Sequence, residues 1–234
     1  MHHYPPLYCT WITKHVSGFN GTNRHLSRID EGVSHHCPCC GQSFETPSHI
    51  TRCLNPGRRK LFHSTVDRLL DWMESIHTDV HLIKCLEQYL LEHGEGSMLE
   101  IARPYPHLLK WSQDHDILGW DNFLEGRISA SLLSLQQASL TKENSPIHIK
   151  TWSTHFIQRV LDITHQQWLF RNTRVHIRLL EGKTTEEHNA IMEDVLERLS
   201  TSPGDLLPQH RHLLEVNFSR LGEGTLLTLS LIHI

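Results

Sequence analysis

The chain has 234 residues, is 38% hydrophobic, and carries a formal net charge of -4 with a mean hydropathy of -0.37. That length has room for one large domain or two small ones, and no apolar run approaches the length of a membrane span. Four of the six cysteines fall between positions 37 and 53, which argues for a metal in a reducing compartment rather than a disulfide framework.

The first residues, Met1 to Pro6, lack the charged and apolar regions of a secretory signal. The expected location is therefore intracellular, in nucleus or cytoplasm, with no membrane partner. The charge is uneven: residues 1–60 sum to +4 and the remainder to -8. A basic start on an acidic body fits local contact with phosphates rather than a broad nucleic-acid surface. The 21 histidines are scattered and, outside the cysteine-rich stretch, read as polar surface.

Leu7, Trp11, Ile12, His15 and Val16 fall at helical spacing and stop at Gly18. Residues 23–29 read as a second short helix. Then comes Cys37-Pro38-Cys39-Cys40-Gly41, followed by His49 and Cys53, a C-x2-C-x8-H-x3-C pattern. Two thiols two residues apart, closed by Gly41, make a tight turn that aims both sulfurs at one point. Pro47 and Ser48 open a helix, and on it His49 and Cys53, four apart, share a face. Three thiolates and an imidazole suit tetrahedral Zn²⁺, with donor atoms expected within about 4 Å of one another. Four protein ligands close the shell, so the zinc is expected to be structural. Cys39 leaves Cys37/Cys39 and Cys39/Cys40 open as alternative pairs. Cys37/Cys40 is preferred for its two-residue gap and the glycine that follows. His35 and His36 could substitute as ligands but are read as solvated.

Beyond Pro56-Gly57, read as an interruption, a long helix carries Leu61, Thr65, Leu69, Trp72 and Ile76 on one face. Asp79 and Thr78 supply the next N-cap, for a helix over 80–92 through Ile83, Leu86, Leu90 and Leu91. Residues 94–97 break the chain. Pro104 to Pro106 lead into another helix, and 121–140 read as helical through Leu124, Ile128, Leu132 and Leu135. The longest helix is predicted over 147–181, with Ile149, Trp152, Phe156, Val160 and Ile163 buried and Gly182 at its end. Thr184 and Glu187 form a capping box for a helix to about Ser200. No stretch alternates as a strand does and no repeat is found. The expected fold is all-α, with a small zinc knuckle near the N-terminus. Its divisions are 1–60 (first helices and knuckle), 61–225 (helical domain) and a tail, 226–234. That tail, through Leu231-Ile232-His233-Ile234, resembles translated adapter sequence from library preparation. Cys9 and Cys85 sit in helical apolar patterns and read as core thiols.

Cys37-Pro38-x-Cys40-Gly41, then Glu45-Thr46-x-x-His49-x-x-x-Cys53, resembles the zinc-binding domain downstream of reverse transcriptase in non-LTR retrotransposons. Trp168-Leu169-Phe170-Arg171-Asn172 is similar to the W-x-x-RN segment of such proteins, and residues 119–129 resemble tail blocks of related algal chains. The resemblance covers about residues 11–180, and only the knuckle is specific within it. It implies metal ligands Cys37, Cys40, His49 and Cys53, acting in RNA or DNA handling, with the rest of a retroelement polyprotein as partner. The polymerase itself is absent: no strand-borne carboxylate pair is found, and Asp114-x-Asp116 reads as a solvated face.

Arg52, Arg58, Arg59 and Lys60 flank the final ligand and are the candidate phosphate contacts, binding RNA or single-stranded DNA weakly and without reading sequence. Arg171, Arg174 and Arg178 share a helical face that reads as solvated, as does His210-x-His212. Trp72 and Trp152 sit at core spacing. The leading expectation is thus a non-catalytic, nucleic-acid-contacting fragment of a reverse-transcriptase polyprotein. The alternative is a zinc-stapled helical module for protein–protein assembly. A zinc hydrolase is disfavoured, because the shell is closed and no general base stands beside it.

Overall fold

The computed structural model describes residues 6–42 and 44–181. Their regular elements are helices: α1 (Pro6–Val16), α2 (Asn23–Leu26), α3 (Pro47–Arg52), α4 (Pro56–Ser75), α5 (Val80–Leu91), α6 (Met98–Ala102), α7 (Leu109–Leu124), α8 (Ala130–Lys142) and α9 (Ile149–Glu181), with a 3₁₀ turn at Pro106–Leu108. The only pairing of extended backbone among them is an isolated antiparallel bridge, His36 to Phe44. The all-α expectation holds. None of the described helices is long and apolar enough to cross a membrane. The capping box at Thr184, the His210-x-His212 pair, Gly182 and the tail lie outside the described residues.

The expected division falls at residue 60. That position lies inside α4, and residues Ile12–Trp168 form one compact unit. Pro56-Gly57 does not interrupt a helix but opens one. The Asn55 side chain accepts from the Arg58 N–H at 3.2 Å, and Pro56 occupies the first turn, where its missing N–H costs nothing.

Within Ile12–Trp168 the helices pack in sequence: α4 on α5, α5 on α6, α6 on α7, α7 on α8. Of the predicted α4 stripe, Thr65 and Leu69 are buried and Trp72 and Ile76 pack at the core edge, and Phe62, Val66, Leu70 and Met73 widen the buried face. From α9, Trp152, Phe156, Val160 and Ile163 enter the same core, as their spacing predicts. Trp152 stacks on Phe156 at 4.8 Å, and its Nε1 donates to Thr78 Oγ1 at 3.2 Å. Trp72 packs at the core edge against Trp152, with the Arg159 guanidinium 5.0 Å from its ring centre.

Two readings change on folding. The predicted 121–140 helix is two helices, because α7 ends at Leu124 and Ser129 caps α8 by accepting from the Leu132 N–H. Ile128 therefore sits in the intervening turn. Asp116 is exposed and Asp114 part-exposed, as a solvated face requires, and both also make local hydrogen bonds. Asp116 accepts from Ser97 Oγ at 2.6 Å and from the Met98 and Leu99 N–H groups, which anchors the start of α6. Asp114 accepts from Lys110 and Ser131. Cys9 is exposed rather than a core thiol, whereas Cys85 is buried, with burial pushing its thiol up to about 11.

His115 belongs to the interior rather than the surface, and His15, His93 and His165 are half-buried. His115 is 2% exposed among Tyr89, Trp111 and Phe123, and burial pushes its pKa down to about 4. Burial also lowers His165 to about 4, with repulsion from His15 as a second cause, and lowers His15 and His93. A folded value below the ordinary one means that the unfolded chain takes protons first. The stability these rings contribute is present above about pH 6.5 and is lost as pH falls toward 4. For the His115 shift this is about 3 kcal/mol. Urea midpoints should therefore drop between pH 6.5 and 4, and His115→Leu should make that drop shallower. An identical pH dependence in the variant would place the effect elsewhere.

Candidate metal centre

The centre is built from the turn at Cys37 to Gly41 and the helix that follows it. Gly41 N–H donates to the Cys37 carbonyl at 2.8 Å, and Gly41 has φ of 71°, which glycine adopts without strain. The chain then returns beside itself: Glu45 N–H donates to the His35 carbonyl at 3.0 Å, next to the His36–Phe44 bridge. Glu45 is fully buried, and its Oε2 accepts from the Asn23 N–H at 2.6 Å at the start of α2. Thr46 caps α3, its Oγ1 accepting from the His49 N–H at 3.1 Å. The Glu-Thr pair of the motif thus supports two helix starts: Glu45 takes the first N–H of α2, which Thr22 caps, and Thr46 caps α3.

α3 carries His49 inward and ends at Arg52. Cys53 is not on the helix, as its spacing predicts, but is the residue after it, with extended backbone at φ -66° and ψ 128°. The donors nevertheless converge. Cys37 Sγ lies 3.8 Å from Cys53 Sγ, and Cys40 Sγ lies 3.5 Å from His49 Nε2. One donor atom from each of the four lies within 4.8 Å of all the others. A tetrahedron with bonds of about 2.3 Å to sulfur and 2.0–2.1 Å to nitrogen has edges of about 3.8 Å and 3.5 Å. The set can hold a metal ion and is compatible with zinc. Cys39, although buried, lies outside it, and His35 and His36 are exposed and pack on Phe44 instead.

The groups around Cys37 perturb one another's titration. The Cys37 thiol is held well below its ordinary range by hydrogen bonds from Cys39 and then Cys53. Both of those thiols are pushed up, first by that bond to Cys37 and then by burial. His49 is raised chiefly by its hydrogen bond to Cys37.

Arg58 is the main correction to the predicted phosphate contacts. It is 1% exposed. Its Nη1 donates to Cys37 Sγ at 3.9 Å, its Nε to Gln167 Oε1 at 3.1 Å, and its Nη2 to the Gln167 carbonyl at 3.2 Å. Gln167 Nε2 donates back to the Arg58 carbonyl at 3.0 Å. A guanidinium so enclosed cannot reach a phosphate; it faces Cys37 Sγ. Arg52 is also engaged. Its Nη1 donates to Ser48 Oγ at 2.8 Å, its Nε donates to the His93 carbonyl at 3.1 Å, and its guanidinium lies over Trp120 at 5.2 Å. Arg59 and Lys60 are exposed, as expected. Arg171 is not on a solvated face either: it is buried, with Nη1 donating to Asn172 Oδ1. The Arg178 side chain lies outside the described ones.

α3 is held from its far side by Trp120, whose Nε1 donates to Thr51 Oγ1 at 3.2 Å. Opposite lies Gly94, at φ 68°, where a Cβ would come within 2.4 Å of the Trp120 ring. No cue in the sequence marked Arg58, Gln167, Trp120 or Gly94 as parts of this support, because each acts through a distant partner.

Comparison with protein-family models, curated proteins and solved structures finds no match.

If Arg58 balances the charge of the metal-bound cluster, Arg58→Met should weaken Zn²⁺ binding by about 10- to 100-fold, the usual effect of losing such a supporting partner. Arg59→Met should leave it unchanged. Competition against a chromophoric chelator measures both, and equal affinities for the two variants would refute the role.

Proposed function

We propose that Cys37, Cys40, His49 and Cys53 hold one structural Zn²⁺, and that the chain is a non-catalytic, nucleic-acid-contacting part of a retroelement reverse-transcriptase polyprotein. The observation that carries this reading is the closed set of three thiols and one imidazole within 4.8 Å, set in the Cys-Pro-x-Cys-Gly, Glu-Thr, His, Cys motif. Four protein ligands leave no position for a reactive water, so the ion joins the turn at Cys37 to α3 rather than performing chemistry.

The nucleic-acid part rests on side chains that the fold leaves outside. Arg59 and Lys60 are exposed on the first turns of α4, and Arg24 and Arg28 are exposed near α2. Arg24 lies 5.1 Å over the ring of Phe44, which is 49% exposed and flanked by His35 and His36. Cations beside an exposed aromatic ring suit a single strand, where phosphates are neutralised and bases stack. RNA or single-stranded DNA, bound weakly and without sequence preference, is the partner this favours.

The alternative, a zinc-stapled assembly module, draws on other exposed residues of the same region: Ile29 at 76%, Leu54 at 68% and Phe19 at 65%. Large apolar side chains in water favour a protein partner. The two readings separate in one experiment, fluorescence anisotropy of a labelled oligouridine against salt. The nucleic-acid reading expects binding at low salt with a shallow log–log slope, roughly -1 to -3 for a few single-strand phosphates. Changing Arg59 and Lys60 together to Ala should flatten that slope by about 1 and weaken all sequences alike. Binding that is undetectable at low salt, or unchanged in the double variant, would leave the assembly reading in its place.

A further inference from the structure

A second group of donors lies at the start of α5, away in sequence from the cysteines. Asp79 caps that helix, its Oδ1 accepting from the His81 and Leu82 N–H groups at 2.9 and 3.0 Å. The cap fixes the carboxylate, and His107 Nε2 lies 3.3 Å from its Oδ2 and 3.4 Å from its Oδ1. His107 comes from the 3₁₀ turn Pro106–Leu108, where Pro106 restricts the backbone. His81 Nδ1 lies 4.0 Å from Asp79 Oδ1, and its ring is stacked on Tyr105 at 4.3 Å between centres. The two imidazoles stand edge to face, with centres 5.4 Å apart. One donor atom from each of Asp79, His81 and His107 lies within 4.8 Å of the other two.

Two features separate this group from an ordinary capped helix. First, among the described residues no lysine or arginine forms an ion pair with the Asp79 carboxylate; the groups turned toward it are the imidazoles, which carry donor nitrogens and no fixed charge. Second, the three line a cavity of about 640 Å³, whose wall also holds Glu74, Lys142 and Glu143. The side chains are part-exposed, from 22% for Asp79 to 44% for His107, so an ion can enter from solvent.

We propose that Asp79, His81 and His107 form a second divalent-cation site, with two nitrogens and one oxygen as protein ligands. Imidazole with carboxylate suits a borderline cation such as Zn²⁺ rather than Ca²⁺ or Mg²⁺, which take mostly oxygen. Three ligands leave positions open toward the cavity, where water or a small anion completes the shell. Such an ion ties the start of α5 to the 3₁₀ turn ahead of α7. It binds less tightly than an ion in the enclosed Cys/His set, because its ligands stay half in water.

The test is calorimetric titration of the full chain with Zn²⁺, read together with metal analysis after dialysis. Two equivalents per chain are expected, one tight and one weaker. His107→Ala and His81→Ala should each remove the weaker equivalent and keep the tight one. Cys53→Ser should do the reverse, which keeps the two sites distinguishable. Asp79→Asn retains an oxygen for the helix cap but loses the charge, so it should weaken the second event at least about tenfold with an unchanged far-UV spectrum. A single equivalent in the unmodified chain would overturn the proposal. So would a weaker event that survives His107→Ala and His81→Ala, since it would then belong to the chain's other histidines.

Discussion

The enclosed guanidinium of Arg58 is the constraint that the knuckle and the helices around it share. A buried positive charge is tolerated only where negative charge and hydrogen-bond acceptors surround it. Arg58 meets both conditions, with Gln167 of α9 on one side and Cys37 on the other. The Cys37 thiol beside it is held well below its ordinary range. A divalent ion with three thiolates and a neutral imidazole would carry one net negative charge, and the Arg58 guanidinium stands next to where that charge would lie.

Around that charge the local chemistry is arranged by caps and close contacts. Asn55 joins the two ends of the knuckle: its Nδ2 donates to the Cys39 carbonyl while its Oδ1 caps α4. From adjacent positions, Glu45 takes the first N–H of α2 and Thr46 caps α3. The far face of α3 rests on Trp120 through Thr51 and Arg52, which needs the bare backbone of Gly94. The site is thus held by hydrogen bonds to backbone and by one aromatic ring, not by a large apolar face of its own.

How much of this the sequence discloses follows from the range of each interaction. The four donors are legible because their geometry is local: a turn with a glycine, then one short helix. The long helices are legible from periodicity, and α9 begins within two residues of its expected start. The role of Arg58 is not, because Gln167 stands 109 residues away and a run of Arg-Arg-Lys beside a ligand reads as a phosphate contact. The turn between α7 and α8 is hidden for a different reason. Leu124, Ile128, Leu132 and Leu135 keep helical spacing across it, and periodicity outweighs the caps that interrupt it. The interior place of His115 carries no sequence mark, since burial of a neutral ring depends on what packs around it. The meeting of Asp79 and His81 with His107 likewise depends on the path of the chain through α6.

The central claim is that four side chains form one closed metal shell beside a buried arginine. X-ray absorption at the zinc edge, on the full chain loaded with one equivalent of Zn²⁺, tests it most directly. The account predicts three sulfur scatterers at about 2.3 Å and one nitrogen at about 2.0–2.1 Å, with no further ligand in the first shell. A shell dominated by nitrogen and oxygen, or one with two sulfurs and bound water, would contradict it.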